Sequence, residues 1–188
     1  HMEQLIRDLL SFSRGNMAAP SPVALQELLS QLEQQFSAQN DVESSDVRLT
    51  ISNHVNDGYI YGSQSALIRA ITNLLNNARQ ACEPHGHIEV KADYAINEDD
   101  EQCISISVND NGEGMSASVL DQVLTPFYTP RSNGTGLGLA VVQSIVKAHR
   151  GHLTIESEPK KGSSVTMFFP LYTSSSSSSD EVTQEVAL

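Results

Sequence analysis

The chain has no tryptophan and only 5% aromatic residues, so its core must rest on aliphatic side chains. Basic residues are scarce, with 11 Lys and Arg against 23 Asp and Glu and a formal net charge of −12. Nucleic-acid binding requires a basic face to neutralise phosphates, and this balance excludes it as a main role. A single nucleotide is not excluded, because backbone amides, a metal ion and one or two cations can hold it. Two cysteines, Cys82 and Cys103, lie far apart with no C-x-x-C spacing, and read as buried free thiols in a reducing compartment. No apolar run approaches the roughly 18–20 residues of a membrane-spanning helix, and no signal peptide is recognisable. The expectation is a cytoplasmic location without membrane contact.

What is present fits one domain with short flanks. His1-Met2 reads as an expression scar. Met2, Leu5, Leu9 and Phe12 follow coiled-coil spacing, so residues 1–14 read as the scar and the end of a longer helical hairpin. Residues 15–22 are a linker rich in helix breakers, and residues 23–172 are the folded domain. Residues 173–188, serine-rich and acidic, are expected to be disordered.

Within the domain, apolar spacing predicts a helix over 24–40. Strand-like runs follow at Val47–Asn53 and Tyr59–Gly62, joined by a tight turn at Asn56-Asp57-Gly58. A long helix from an N-cap at Ser63 to near Cys82 comes next, then strands at about 88–94 and 103–110. A loop with one short helix covers 111–137. A helix from Gly138 to Arg150 ends at Gly151 as its C′ residue, and a final hairpin turns at Pro159–Gly162. This order implies a two-layer α/β sandwich, a mixed sheet of about five strands with three main helices on one face.

Three features carry chemistry. On the helix from Ser63, Leu67, Ile71, Leu74, Leu75, Ala78 and Cys82 form an apolar stripe, with Asn73, Asn77 and Gln80 opposite. Ala66, Ala70 and Ala81 are expected to leave space beside these amides. The amides are either a solvent-facing patch or two oxygens at i and i+4 aimed at a hard cation. In the strand ending at Asp110, Ile104, Ile106 and Val108 share a face with the carboxylate. A carboxylate there needs a donor, so Asp110 either starts an Asx-turn or accepts from an exocyclic amine such as adenine N6. Gly134-Thr135-Gly136-Leu137-Gly138 runs into a helix N-terminus, a ready anion site.

In this order the features resemble the catalytic domains of sensor histidine kinases. Asn73-Leu-Leu-Asn-Asn77-Ala resembles their N box and Asp110-Asn-Gly112-Glu-Gly114-Met their G1 box. Pro126-Phe127-Tyr128-Thr129-Pro130 resembles their F box, and Gly134 to Gly138 their G2 box. The resemblance covers residues 24–170 and implies the Bergerat ATP-binding fold of the GHKL superfamily. By matching position it assigns Mg²⁺ to Asn77, with Asn73 assisting at the phosphates. It gives adenine to Asp110, a pocket shaped by Gly112 and Gly114, and a lid anchored by Phe127. Gly134, Thr135, Gly136, Leu137 and Gly138 would wrap the triphosphate. Two positions depart from the pattern. Gln80 stands where many members carry Lys, with Arg79 beside it to supply charge, and Arg131 keeps the charge where Lys is common. All three are expected among the nucleotide-binding residues. The short lid and the LIRDLLSFSR segment are similar to NtrB-like kinases, and within that group to flagellar-regulation sensor kinases.

The resemblance implies ATP and Mg²⁺ as cofactors. It implies two partners: the kinase's own dimerisation and phosphoacceptor domain, and an NtrC-type response regulator. This chain alone would be a monomer and the full-length protein a homodimer. The related ATPases carry a Glu at the position of Asn73, and an amide cannot accept a proton as that base does. His54, His85, His87, His149 and His152 lack the acceptor histidine's context and read as surface or turn residues, so the acceptor is expected outside this chain.

Overall fold

In a computed structural model, the described residues are 19–43, 47–82, 85–97, 100–131 and 134–173, without the side chains of 39–43. The helical stump and the serine-rich tail read from the sequence lie outside them. The elements are β1 (Ser21–Ala24), α1 (Leu25–Glu43), β2 (Arg48–Asn53), β3 (Tyr59–Gly62) and α2 (Gln64–Ala81). They continue with β4 (His87–Ile96), β5 (Gln102–Asp110), α3 (Ala117–Leu120), α4 (Gly138–Ala148), β6 (His152–Glu158) and β7 (Gly162–Pro170).

The main sheet has the order β2-β4-β5-β7-β6, parallel between β2 and β4 and antiparallel elsewhere. Parallel neighbours need a long crossover, and α2 supplies it between β2 and β4. Alternate residues of the central strands are buried: Ile88, Val90 and Ala92 on β4, Ile104, Ile106 and Val108 on β5, and Val165, Met167 and Phe169 on β7. Against that face pack Leu28 and Leu32 of α1, Ile71 and Leu74 of α2, and Val142 and Val146 of α4, in one continuous core. The architecture is the expected α/β sandwich.

The Asn56-Asp57-Gly58 turn forms, with Asp57 at φ 52°, but it does not make a hairpin. β2 is an edge of the main sheet, whereas β3 pairs with β1 in a separate two-stranded ribbon. Ser21 and Pro22, read as the end of a linker, are the first residues of β1. The last helix ends one residue earlier than its glycine implies. Arg150, not Gly151, takes the left-handed C′ conformation (φ 58°), and Gly151 N–H closes the cap onto Val146 C=O at 2.9 Å.

His149 is the one histidine whose surface reading fails, being only 6% exposed. Its Nδ1 lies 2.7 Å from Ile145 C=O, an acceptor, so the ring proton sits there, and Nε2 accepts the Ser63 N–H at 3.0 Å. It thereby joins the C-terminus of α4 to the N-terminus of α2. Ser63 occupies the N-cap position with extended backbone, but its side chain makes no cap bond and pairs with the Ser65 hydroxyl at 3.1 Å. Removal of a working cap costs about 1 kcal/mol. Ser63→Ala is therefore expected to cost less than about 0.5 kcal/mol, and a larger loss in denaturant melts would show that the hydroxyl caps α2 after all.

Candidate nucleotide-binding site

The two amides of α2 sit on its half-buried side, one turn apart. Ala66, Ala70 and Ala81 are buried rather than standing beside open space. Their short side chains admit close neighbours: a Cβ on Gly112 would meet Ala81 C=O at 2.4 Å, so the loop after β5 lies directly on the end of α2. Cys82 is half-buried and not fully buried as expected, while Cys103 is. Burial, then the charge of Asp110, pushes the Cys82 thiol up.

The start of α4 meets the amides. A Cβ on Gly138 would lie 3.6 Å from both Oδ1 and Nδ2 of Asn77. Asn77 thus faces the first residue of an 11-residue helix whose N-terminus has no side-chain cap. First-turn N–H groups, which lack intrahelical partners, and the positive end of the helix dipole suit an anion, beside an amide oxygen that suits a cation.

Asp110 ends β5 opposite Ile88 and Ser163. Its Oδ1 accepts the Gly112 N–H at 2.9 Å, so the Asx-turn alternative is realised. The Ser163 backbone acts on it as a second donor that lowers its pKa. A carboxylate has about four lone-pair sites, so acceptor capacity remains for a ligand. Burial pushes the carboxyl above its ordinary value. The two backbone donors and Arg131 oppose this, and Glu113 adds to it. Its partners do not fully offset the desolvation, so a carboxylate here gains from an incoming donor.

The loop after β5 interlocks with the β6–β7 turn. Gly114 (φ 64°) lets Glu158 C=O approach, and Gly162 (φ 95°) lets Asp110 C=O approach. Ser157 Oγ completes the junction by accepting the Met115 N–H at 2.8 Å.

Phe127, the residue expected to anchor the lid, is 65% exposed. Its main chain makes the tie instead: Phe127 N–H donates to Gly136 C=O at 2.9 Å, joining the F-box and G2-box segments. Thr135 Oγ1 accepts the Leu137 N–H at 3.4 Å, and Leu137 is buried. Gly134 lies beside Thr129. Arg79 is half-buried on α2 and has interactions within the fold. Arg131 bonds to Gln80 and to Glu113, a residue that sequence reasoning passed over although it stands inside the G1 motif. Only its charge between two glycines could have drawn attention to it.

Residues 62–173, more than half of the chain, match the family model for histidine kinase-, DNA gyrase B- and HSP90-like ATPases. The chain belongs to this family. It therefore carries an ATP-binding ATPase-type domain of the GHKL superfamily. The sensor histidine kinase ZraS of Escherichia coli is 32% identical over 170 residues, covering 90% of this chain and 35% of that protein. The sensor protein kinase FleS of Pseudomonas aeruginosa is 33% identical over 170 residues, covering 90% and 40%. Full-length ShkA, solved in complex with AMPPNP, superposes with a TM-score of 0.72 at 25% identity, over 92% of this chain and 36% of that one. The chain thus spans about a third of the length of such relatives. Among the described residues no helix is long and apolar enough to cross a membrane.

Proposed function

We propose that this chain is the ATP- and Mg²⁺-binding catalytic domain of a two-component sensor histidine kinase. It transfers the ATP γ-phosphate to a histidine on a dimerisation domain outside the chain, for relay to a response regulator, in this reading of the NtrC type. The observation that carries the reading is the meeting of Asn77 with Gly138 at the start of α4, with Asp110 at the neighbouring strand end. Amide oxygen, helix N-terminus and carboxylate acceptor match in order the metal, phosphate and adenine of one nucleotide.

Among the described residues no group of three or more His, Cys, Asp or Glu could hold a metal by itself. That fits Mg²⁺ in a nucleotide site, where one or two protein oxygens suffice and phosphates and waters complete the shell. Asn77 would supply that oxygen, with Asn73 one turn away at the phosphates. When bound, the ion offsets phosphate charge. The α4 amides and the 134–138 segment orient the triphosphate, and Asp110 selects the base. In-line phosphoryl transfer needs mainly positioning and charge stabilisation, which these groups provide on the nucleotide side. Asn73 cannot activate water as a Glu would, which favours transfer over hydrolysis.

The chain is expected to bind ATP yet carry no label after incubation with γ-labelled ATP, because none of its histidines has the acceptor's surroundings. A separately supplied dimerisation hairpin bearing the acceptor should be labelled slowly, in proportion to protein concentration, since no linker raises the local concentration. Acid-labile label on the chain alone would refute the missing acceptor. A folded, bound hairpin that stays unlabelled would refute the kinase reading.

A further inference from the structure

The two departures from the family pattern, Gln80 and Arg131, meet in space. Arg131 Nη1 donates to Gln80 Oε1 at 3.3 Å and Nη2 to Glu113 Oε1 at 3.2 Å. Gln80 stands on the last turn of α2, and Glu113 between the two glycines of the loop after β5. The backbone of Glu113 is held from both sides. Its N–H donates to Ala81 C=O at 2.9 Å, and its C=O accepts the Lys160 N–H at 2.7 Å. Its carboxylate therefore stands on fixed main chain. Arg131 is turned towards it by a local bend, in which its N–H donates to Thr129 Oγ1 at 3.2 Å. The guanidinium thus spans from α2 to the Gly112–Gly114 loop, the two walls beside Asp110. A lysine at position 80 would set a second cation against Arg131, whereas an amide oxygen accepts from it.

We propose that Gln80, Glu113 and Arg131 form a latch across the mouth of the nucleotide cleft. The first two hold the guanidinium while the cleft is empty, and a nucleotide phosphate then takes it over. The proposal rests on the nucleotide reading above. An exposed ion pair is weak, which suits a contact that must be given up on binding, and a phosphate offers arginine stronger, bidentate acceptors.

Glu113→Gln tests it with little risk to folding, because the side chain is 61% exposed and its anchoring bonds are main-chain. Without nucleotide, amides of residues 125–131 should exchange hydrogen faster in Glu113→Gln and in Gln80→Lys than in the wild-type chain. The reversed pair, Glu113→Lys with Arg131→Glu, should restore slow exchange. With ATP, Glu113→Gln should bind about threefold more tightly, the size expected of one exposed ion pair, through faster association. Unchanged exchange in both single variants overturns the latch. Altered exchange with unchanged ATP affinity in Glu113→Gln overturns the hand-over to phosphate. A wild-type chain that binds no ATP overturns the nucleotide reading itself, while the exchange result, obtained without nucleotide, still decides whether the three residues hold the segment.

Discussion

Asp110→Asn is expected to weaken ATP binding by about 30–150-fold in calorimetry with excess Mg²⁺, corresponding to about 2–3 kcal/mol. The carboxylate already accepts from the backbone N–H of Gly112. An asparagine has one acceptor oxygen and one donor group. Turned one way it sets its NH₂ against the backbone donor; turned the other, against the adenine amine. Neither orientation serves both, so a charge-assisted bond is lost and a donor faces a donor. The loss should be the same for ADP, since both nucleotides carry the same base. Unchanged affinity in a variant that melts like the wild type would remove Asp110 from the base-binding site.

Gly162→Ala is expected to cost roughly 3–5 kcal/mol of stability, at the upper end of single-substitution effects. The residue sits at φ 95°, and an added Cβ would fall 1.8 Å from Asp110 C=O and 2.9 Å from Asn111 Cα. All the atoms in the way are main chain, so no rotamer change relieves the clash. Backbone strain alone contributes about 1–3 kcal/mol, and separating the β6–β7 turn from the end of β5 accounts for the rest. For a domain of this size each kcal/mol moves the melting temperature by about 2–4 °C, so a fall of roughly 10 °C should be seen by circular dichroism. ATP affinity should fall with it, because the displaced atoms belong to Asp110 and its neighbour. A melting temperature within about 2 °C of wild type would show that turn and strand end are not interlocked.

These two variants mark the division between what is local and what is not. Residues that meet through one helix or strand are legible from periodicity. The spacing of Leu67, Ile71, Leu74 and Leu75 is enough to put Asn73 and Asn77 on the other side of α2. Alternation along β5 likewise puts Asp110 in phase with Ile106 and Val108. Helical and strand periods of 3.6 and 2 are properties of the backbone, so a linear pattern carries them. The ordered N, G1, F and G2 motifs name the family for the same reason, each being a short continuous segment.

Contacts between segments leave no such trace. β1 is four residues of linker-like composition and is a strand only because β3, some forty residues on, offers it a partner. The Asp57 turn is locally favourable whether or not its flanking strands pair, so it could not say that β2 would join β4 instead. His149 is polar and follows a helix, and its burial depends on Ser63 N–H arriving from another element. Arg131, Gln80 and Glu113 come from a lid, a helix and a loop, and their convergence depends on how those three pack. Sequence by itself determined the main elements, β1 excepted, together with the motifs and the family. Tertiary structure decided which strands pair, which histidine is buried and which charged groups meet at the cleft, because those depend on the burial and hydrogen bonding of groups far apart along the chain.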